Sequence, residues 1–298
     1  NSLSSKISKF LIKNLYNNKE TVFSFEIFPP NKNFSSEKLY EVIDELSTHN
    51  PDFISVTYGA GGTTKSGTIE MASYIKNKLN IESVTHLTCV GSKKDEIDDF
   101  LNELEENNIK NILALRGDIP LGHTEELLDS GDFKYASDLI EEINKNGKFS
   151  VGGAFYPEVH HENNDLLDLF HLKKKAEAGI DFLISQIFFD NEVFLSYKEK
   201  AEKLGITVPL TAGIIPITNA NQIKRITSLC HCSIPKKLEK ILEKYGDNND
   251  SMMQAGVAYA TEQIVELLSS GVKGIHLYTM NKTEAVKEIL NNISYIRR

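Results

Sequence analysis

Residues 21–30, TVFSFEIFPP, read as one β-strand that carries a carboxylate toward its end and is then cut off by two prolines. Val22, Phe23, Phe25, Ile27 and Phe28 are β-branched or aromatic and suit a pleated, buried surface. Pro29 and Pro30 can neither donate to a ladder nor continue it. Glu26 is the one ionisable residue in the run. A carboxylate buried among such neighbours is costly unless it is paired or protonated, so a solvated glutamate on an edge strand is the plain alternative. Recurrence favours a functional glutamate: the unit of apolar strand, polar residue at its C-terminal end, loop and helix repeats down the chain.

Apolar residues at helical spacing, Ile7, Phe10, Leu11 and Leu15, predict a helix over 4–17 that covers one end of the fold. Strands are expected at 22–28, 53–57, 83–87, 111–115, 149–155, 182–187, 208–212 and 274–278. The intervening helices are expected from Ser35 or Ser36 as a cap, then at 68–79, 93–106, 136–143, 165–178 with Gly179 as C-cap, 193–204 and finally 284–296. A long helical insertion fills 219–270. Eight strands alternating with helices imply right-handed parallel crossovers and an α/β fold, a (β/α)8 TIM barrel. It forms one domain over 1–298, with 1–20 as an N-terminal helical extension and the insertion between strands seven and eight. An open doubly wound sheet is the alternative.

The chain has 298 residues, 40% hydrophobic and 25% charged, with a formal net charge of −9. That acidic balance argues against nucleic acid or an anionic membrane as a partner and makes a small molecule the default. Cys89, Cys230 and Cys232 cannot form a disulfide framework, and neither a signal peptide nor an 18-residue apolar run is seen, so a cytoplasmic location is expected. Cys230-His231-Cys232 lacks the paired spacing and fourth donor of a structural zinc site and reads as a buried helix end, with no metal expected.

In a barrel the active site lies at the C-terminal strand ends. Those ends carry Glu26, Thr57 with Tyr58, His86 with Thr88, Arg116 with Asp118, Tyr156 with His160, Gln186 and Tyr278. So many convergent ionisable groups point to a functional face. The loop from Gly59 to Ser66 departs from the phosphate-loop pattern at Thr64, and no dinucleotide fingerprint is present, so any dinucleotide must be held by the barrel itself. A flavin-free lyase or aldolase, with Glu26 and Asp118 as acid and base, is a competing reading on the same barrel, and a non-catalytic scaffold is a third.

SFEIFPP, SVTYGAGG, THLTC, LALRGD, YASDL, AFYPEVH, ISQIFFD, GIIPITN and HLYTMN, in this order and spacing, resemble the bacterial-type catalytic barrel of methylenetetrahydrofolate reductase from about residue 20 onward. The resemblance implies an FAD-dependent reductase that takes hydride from NADH or NADPH and converts 5,10-methylenetetrahydrofolate to 5-methyltetrahydrofolate by a ping-pong route, in a homo-oligomer. It implies FAD contacts from Thr57, Tyr58, His86, Arg116, Gly117, Asp118, Tyr135, Ala136, Tyr156 and His160. Asp168, His171, Lys174 and Lys175 are implied at the diphosphate and adenosine end. Glu26, Asp118, Gln186, Gln222, Tyr278 and Lys282 are implied on the folate and nicotinamide side.

Ile226 stands where some relatives carry an aromatic that stacks on the aminobenzoate, at a loss of about 0.5–1.5 kcal/mol. Lys282 replaces the arginine of some relatives, a point charge in place of a bidentate fork. Glu26 and Asp118 are the expected catalytic pair. Glu26 is expected to be the general acid, its apolar neighbours raising its pKa toward the working pH.

Overall fold

The computed structural model describes residues 11–58, 65–117, 130–158 and 165–297. Eight parallel strands close on themselves in chain order: β1 (Val22–Ile27), β2 (Phe53–Val56), β3 (Glu82–Thr88), β4 (Asn111–Leu115), β5 (Ser150–Phe155), β6 (Phe182–Ser185), β7 (Leu210–Ile214) and β8 (Gly274–Tyr278). β1 pairs with both β2 and β8, so the barrel has no free edge and Glu26 does not lie on an edge strand.

Before β1 comes α1 (Ile12–Asn18). Outside the barrel, in chain order, lie α2 (Ser36–Ser47), α3 (Lys65–Ser73), α4 (Lys94–Glu106), α5 (Ala136–Asn144), α6 (Asp165–Glu177) and α7 (Asn191–Lys203). α8 (Ala220–Cys230), α9 (Lys236–Tyr245) and α10 (Asn249–Ser269) form the insertion between β7 and β8, and α11 (Glu284–Asn292) follows β8.

Period-two alternation sorts each strand. On β1, Phe23, Phe25 and Ile27 face outward into the main core, where Leu39, Ile43 and Leu46 of α2 meet them. Each buried Leu or Ile is worth about 1.5–3 kcal/mol. Val22 faces inward with Phe53, Val84, Leu113 and Phe182, and Ile12 and Tyr16 of α1 join that cluster. α1 is therefore a plug: the Ile12 amide donates to Asn111 Oδ1 at 2.9 Å and Tyr16 hydrogen-bonds Thr211. α2 begins as expected, Ser35 Oγ accepting from the Lys38 amide.

Local differences from expectation have physical causes. β7 begins at Leu210, two residues late, because Pro209 has no N–H to give a ladder. The helix expected at 68–79 is α3 followed by a π-helical turn over Tyr74–Lys78, which turns the buried Lys76 onto Glu82. β1 stops at Ile27, since the Phe28 backbone is bonded instead by a side chain from the loop after β8. The glycine-rich loop at 59–62 and the first part of the helix expected at 4–17 lie outside the described residues.

Candidate active site at the barrel mouth

Glu26 is the second-last residue of β1 and points into the barrel, level with Ser55 on β2 and Tyr278 on β8. Its aromatic sequence neighbours are on the opposite face. What it meets is polar. His276 Nε2 lies 3.3 Å from Glu26 Oε1, Ser55 Oγ donates to the same oxygen at 3.3 Å, and His86 Nε2 lies 3.2 Å away, off hydrogen-bond alignment. The other ring nitrogen of His276, Nδ1, is 2.7 Å from Ser24 Oγ. With Ser24 donating, the proton of a neutral His276 sits on Nε2 and faces the carboxylate.

These neighbours overturn the expected direction of the Glu26 pKa. Burial pushes the carboxyl up, but the charges and N–H groups of His86 and His276 outweigh it and hold the group down at about 2. Sequence neighbours of Glu26 are not its spatial neighbours. A strand presents Phe25 and Ile27 to one side and Glu26 to the other, and the barrel closes two imidazoles over that other side.

Tyr278 spans the mouth. Its ring stands edge-on to His276 at 5.3 Å, and its hydroxyl donates to the Ser185 carbonyl at 2.7 Å. Gly213 makes this possible: a Cβ there would lie 2.6 Å from Tyr278 Cε2 and 2.5 Å from Ser185 O. Beside Tyr278 opens a cavity of about 350 Å³, lined among others by Gln222, Met253, Met280 and Lys282. Three implied folate-side residues, Gln222, Tyr278 and Lys282, thus share one wall. Gln222 Oε1 accepts from the Thr218 amide at 3.0 Å, which fixes its side chain at the N-terminus of α8. Gln186, half-buried just past β6, donates its backbone N–H to Phe155 O at 2.8 Å. Ile226 is buried in a satellite cluster with Ile187, Phe189 and Met252, and Tyr278 packs against that cluster.

The implied flavin residues form the other half of the rim. Thr57 is half-buried, its carbonyl accepting from Thr68 Oγ1 at 2.9 Å, and the Tyr58 ring stands edge-on to Phe100 at 5.6 Å. Arg116 is exposed at the end of β4. Gly117 follows at φ +86°, where a Cβ would lie 2.9 Å from Thr88 Cβ. Tyr135 caps α5 ahead of the buried Ala136 and lies against His171 of α6 at 5.7 Å. Tyr156 is exposed beyond β5.

Lys174 and Lys175 do not act together. Lys174 is exposed with Nζ over the Phe170 ring, whereas Lys175 turns inward and donates to Ala154 O at 2.7 Å. Burial lowers Lys175 to about 8, the Asp168 charge working against the shift. Asp118 and His160 lie outside the described residues.

Cys230 ends α8, His231 follows in the left-handed conformation and Cys232 is buried. Among the described residues no cluster of His, Cys, Asp and Glu is suited to a metal. None of the helices described is long and apolar enough to cross a membrane.

Comparison with known proteins adds the decisive observation: the model of the family described as methylenetetrahydrofolate reductase matches residues 11–294. This chain belongs to the methylenetetrahydrofolate reductase family. The rice protein named probable methylenetetrahydrofolate reductase (NADH) is 37% identical over 288 residues, covering 93% of this chain and 48% of its own length. The Escherichia coli 5,10-methylenetetrahydrofolate reductase is 34% identical over 262 residues, covering 88% of this chain and 86% of its own. The chain thus spans about half the length of the plant members and most of the bacterial one. A solved Clostridium thermocellum structure, of an uncharacterised protein described as binding two copies of 5-methyl-5,6,7,8-tetrahydrofolic acid, superposes with TM-score 0.67 over 96% of this chain and 99% of that one. At 18% identity that likeness concerns the fold.

Within this barrel, the residues missed from sequence are Ser24, Ser55 and His276. A signal for them existed. Ser24 shares a strand face with Glu26, and His276 shares one with Tyr278, each two residues away.

Proposed function

We propose that the chain reduces 5,10-methylenetetrahydrofolate to 5-methyltetrahydrofolate with hydride from a reduced nicotinamide, passed through FAD. The observation that carries this reading is Glu26 held between His86 and His276 at the barrel mouth, beside the cavity walled by Gln222, Tyr278 and Lys282. NADH is the favoured donor, since the rice and maize relatives carry it in their names.

The donor groups present fit FAD. Exposed cations at Arg116 and Lys174 suit a diphosphate, and the Tyr135 and His171 rings, tilted 34° to each other, offer aromatic faces for adenine. Thr57, His86, Gly117 and Ala136 complete the rim on the ring side, where a Cβ at Gly117 would crowd Thr88. Held by these residues, FAD would supply the hydride relay between the nicotinamide and the one-carbon unit of the folate.

The chain's own task is the proton. The ring joining N5 and N10 opens only when N10 is protonated, and a carboxyl held near 2 does not keep that proton itself. The proton is therefore delivered along the Glu26–His276 contact, with Ser24 fixing the ring and Glu26 oriented to pass it on. Lys282 meets a carboxylate of the folate tail.

The test is reconstitution with FAD followed by rapid mixing. NADH should bleach the flavin absorbance and methylenetetrahydrofolate should restore it. A colourless protein after reconstitution, or a reduced one indifferent to folate, would refute the reading.

A further inference from the structure

The ladder of β1 ends at Ile27 on the β2 side and at Glu26 on the β8 side. Past that point side chains take over. Thr279 donates to Glu26 O through its amide at 3.3 Å and its hydroxyl at 2.7 Å. Asn281 Oδ1 accepts from the Phe28 amide at 3.0 Å, and Asn281 Nδ2 donates to Phe28 O at 3.1 Å. The amide of Asn281 thus stands in for the backbone of a neighbouring strand. It is 2% exposed, and its own N–H is bonded to Thr279 Oγ1 at 3.2 Å.

The conformation is not a cheap one. Met280 and Asn281 are both left-handed, at φ +53° and +56°. That region disfavours L-residues by about 1–2 kcal/mol each, somewhat less for Asn. Two in succession persist only where the surroundings over-determine them, and such strain gathers at functional sites. Here the over-determination runs straight to the residue after the catalytic strand.

We propose that Asn281 is a positioning residue: its side-chain amide fixes the end of β1 against the loop after β8 and so holds Glu26 at contact distance from His276. The inference rests on the function proposed above and deepens it. Glu26 is faced by Ser55 from β2, His86 from β3, and His276 and Tyr278 from β8. The β8 partners sit on the strand laddered to β1 as far as Glu26–Tyr278, and Asn281 carries that seam past Glu26 to Phe28. Releasing Asn281 opens the seam from this end, the end nearest the Glu26–His276 contact, while Ser55 and His86 lie on strands that Asn281 does not touch. The same loop carries Lys282, whose amide donates to Thr279 O at 3.0 Å, so the folate wall is registered to the acid by the same device.

Asn281→Gly keeps the left-handed backbone without strain and deletes the amide. Asn281→Asp keeps the acceptor for Phe28 and deletes the donor. Both half-reactions are followed by rapid mixing, with the folate half-reaction measured across pH. For Asn281→Gly the folate half-reaction should slow by at least about tenfold relative to flavin reduction, in line with small misplacements of a reacting group. The alkaline limb of its pH profile, which reports loss of the proton delivered to N10, should move downward as the carboxylate and imidazole part, and Asn281→Asp should fall between. Should the glycine protein fail to fold, the aspartate protein carries the same comparison.

Equal slowing of the two half-reactions, or a folate half-reaction kept within about threefold with an unmoved profile, overturns the positioning role. A wild-type protein whose reduced flavin ignores the folate overturns the proposed function and this inference together. A reactive wild type with an indifferent Asn281→Gly overturns the inference alone.

Discussion

Glu26→Gln separates the two things the Glu26 carboxylate does. The substitution keeps shape and removes both the charge and the carboxylate oxygen through which the proton is passed to N10. The carboxyl is brought down from 4.5 to about 2 by its imidazole neighbours against the opposing effect of burial. At about 1.4 kcal/mol per tenfold change, this corresponds to about 3 kcal/mol favouring the ionised form in the folded protein. An amide cannot supply it, so Glu26→Gln should lower the unfolding free energy at pH 7 by a figure of that order. The sign follows from the depressed value: the contribution is complete above 4.5 and is lost as pH falls toward 2. The difference between wild type and variant in urea titrations should therefore shrink on acidification below 4.5. Kinetically, oxidation of the reduced flavin by methylenetetrahydrofolate should fall by about 10²- to 10⁴-fold, the usual worth of a general acid. Reduction by NADH needs no proton from this cluster and should stay within a few-fold. A stability difference that is the same at pH 3.5 as at pH 7 would show that the imidazoles do not hold the carboxyl down. A folate half-reaction surviving in Glu26→Gln would reduce the glutamate to a structural part.

Lys174 and Lys175 should respond in opposite ways. Lys174→Ala should weaken FAD binding in a salt-dependent manner, read as the flavin retained after dialysis. Lys175, lowered to about 8, is disfavoured in its charged form by the fold. Lys175→Met should therefore raise stability by on the order of 2 kcal/mol at pH 7, after the lost bond to Ala154 O, and the gain should fade as pH rises from 8 past 10.5. A variant that is destabilised at pH 7 and unresponsive to alkali would contradict this. Gly213→Ala forces a Cβ to within 2.5 Å of Ser185 O and displaces the Tyr278 ring, so it should cost about 1–3 kcal/mol and raise the folate KM more than the NADH KM. Tyr16→Ala empties part of the barrel floor and should cost about 3–5 kcal/mol by urea unfolding, with the flavin spectrum of the surviving folded protein unchanged.

TVFSFEIFPP shows how far local order reaches. The strand and the Glu26 near its end were legible, because strand propensity acts within a few residues, whereas its stop at Ile27, ahead of the prolines, was set by the distant Asn281 side chain. The repetition of that unit was enough for the closed eight-stranded barrel, since parallel strands joined by helices have few ways to bury both faces. Even the rim was legible as a set of strand-end residues. What those residues touch was not. Phe25 and Ile27 adjoin Glu26 in the chain and suggested an apolar pocket, yet alternation sends them outward, and closure brings His276, 250 residues away, to 3.3 Å. The direction of the Glu26 pKa reversed for that reason alone. Lys174 and Lys175 are likewise neighbours that a helix turns about 100° apart, one into solvent and one onto Ala154 O. The Asn281 amide that finishes β1 is invisible from either end of the chain. Periodicity is written into sequence, but the partner of an inward-facing group is chosen by which strands the closed barrel sets side by side.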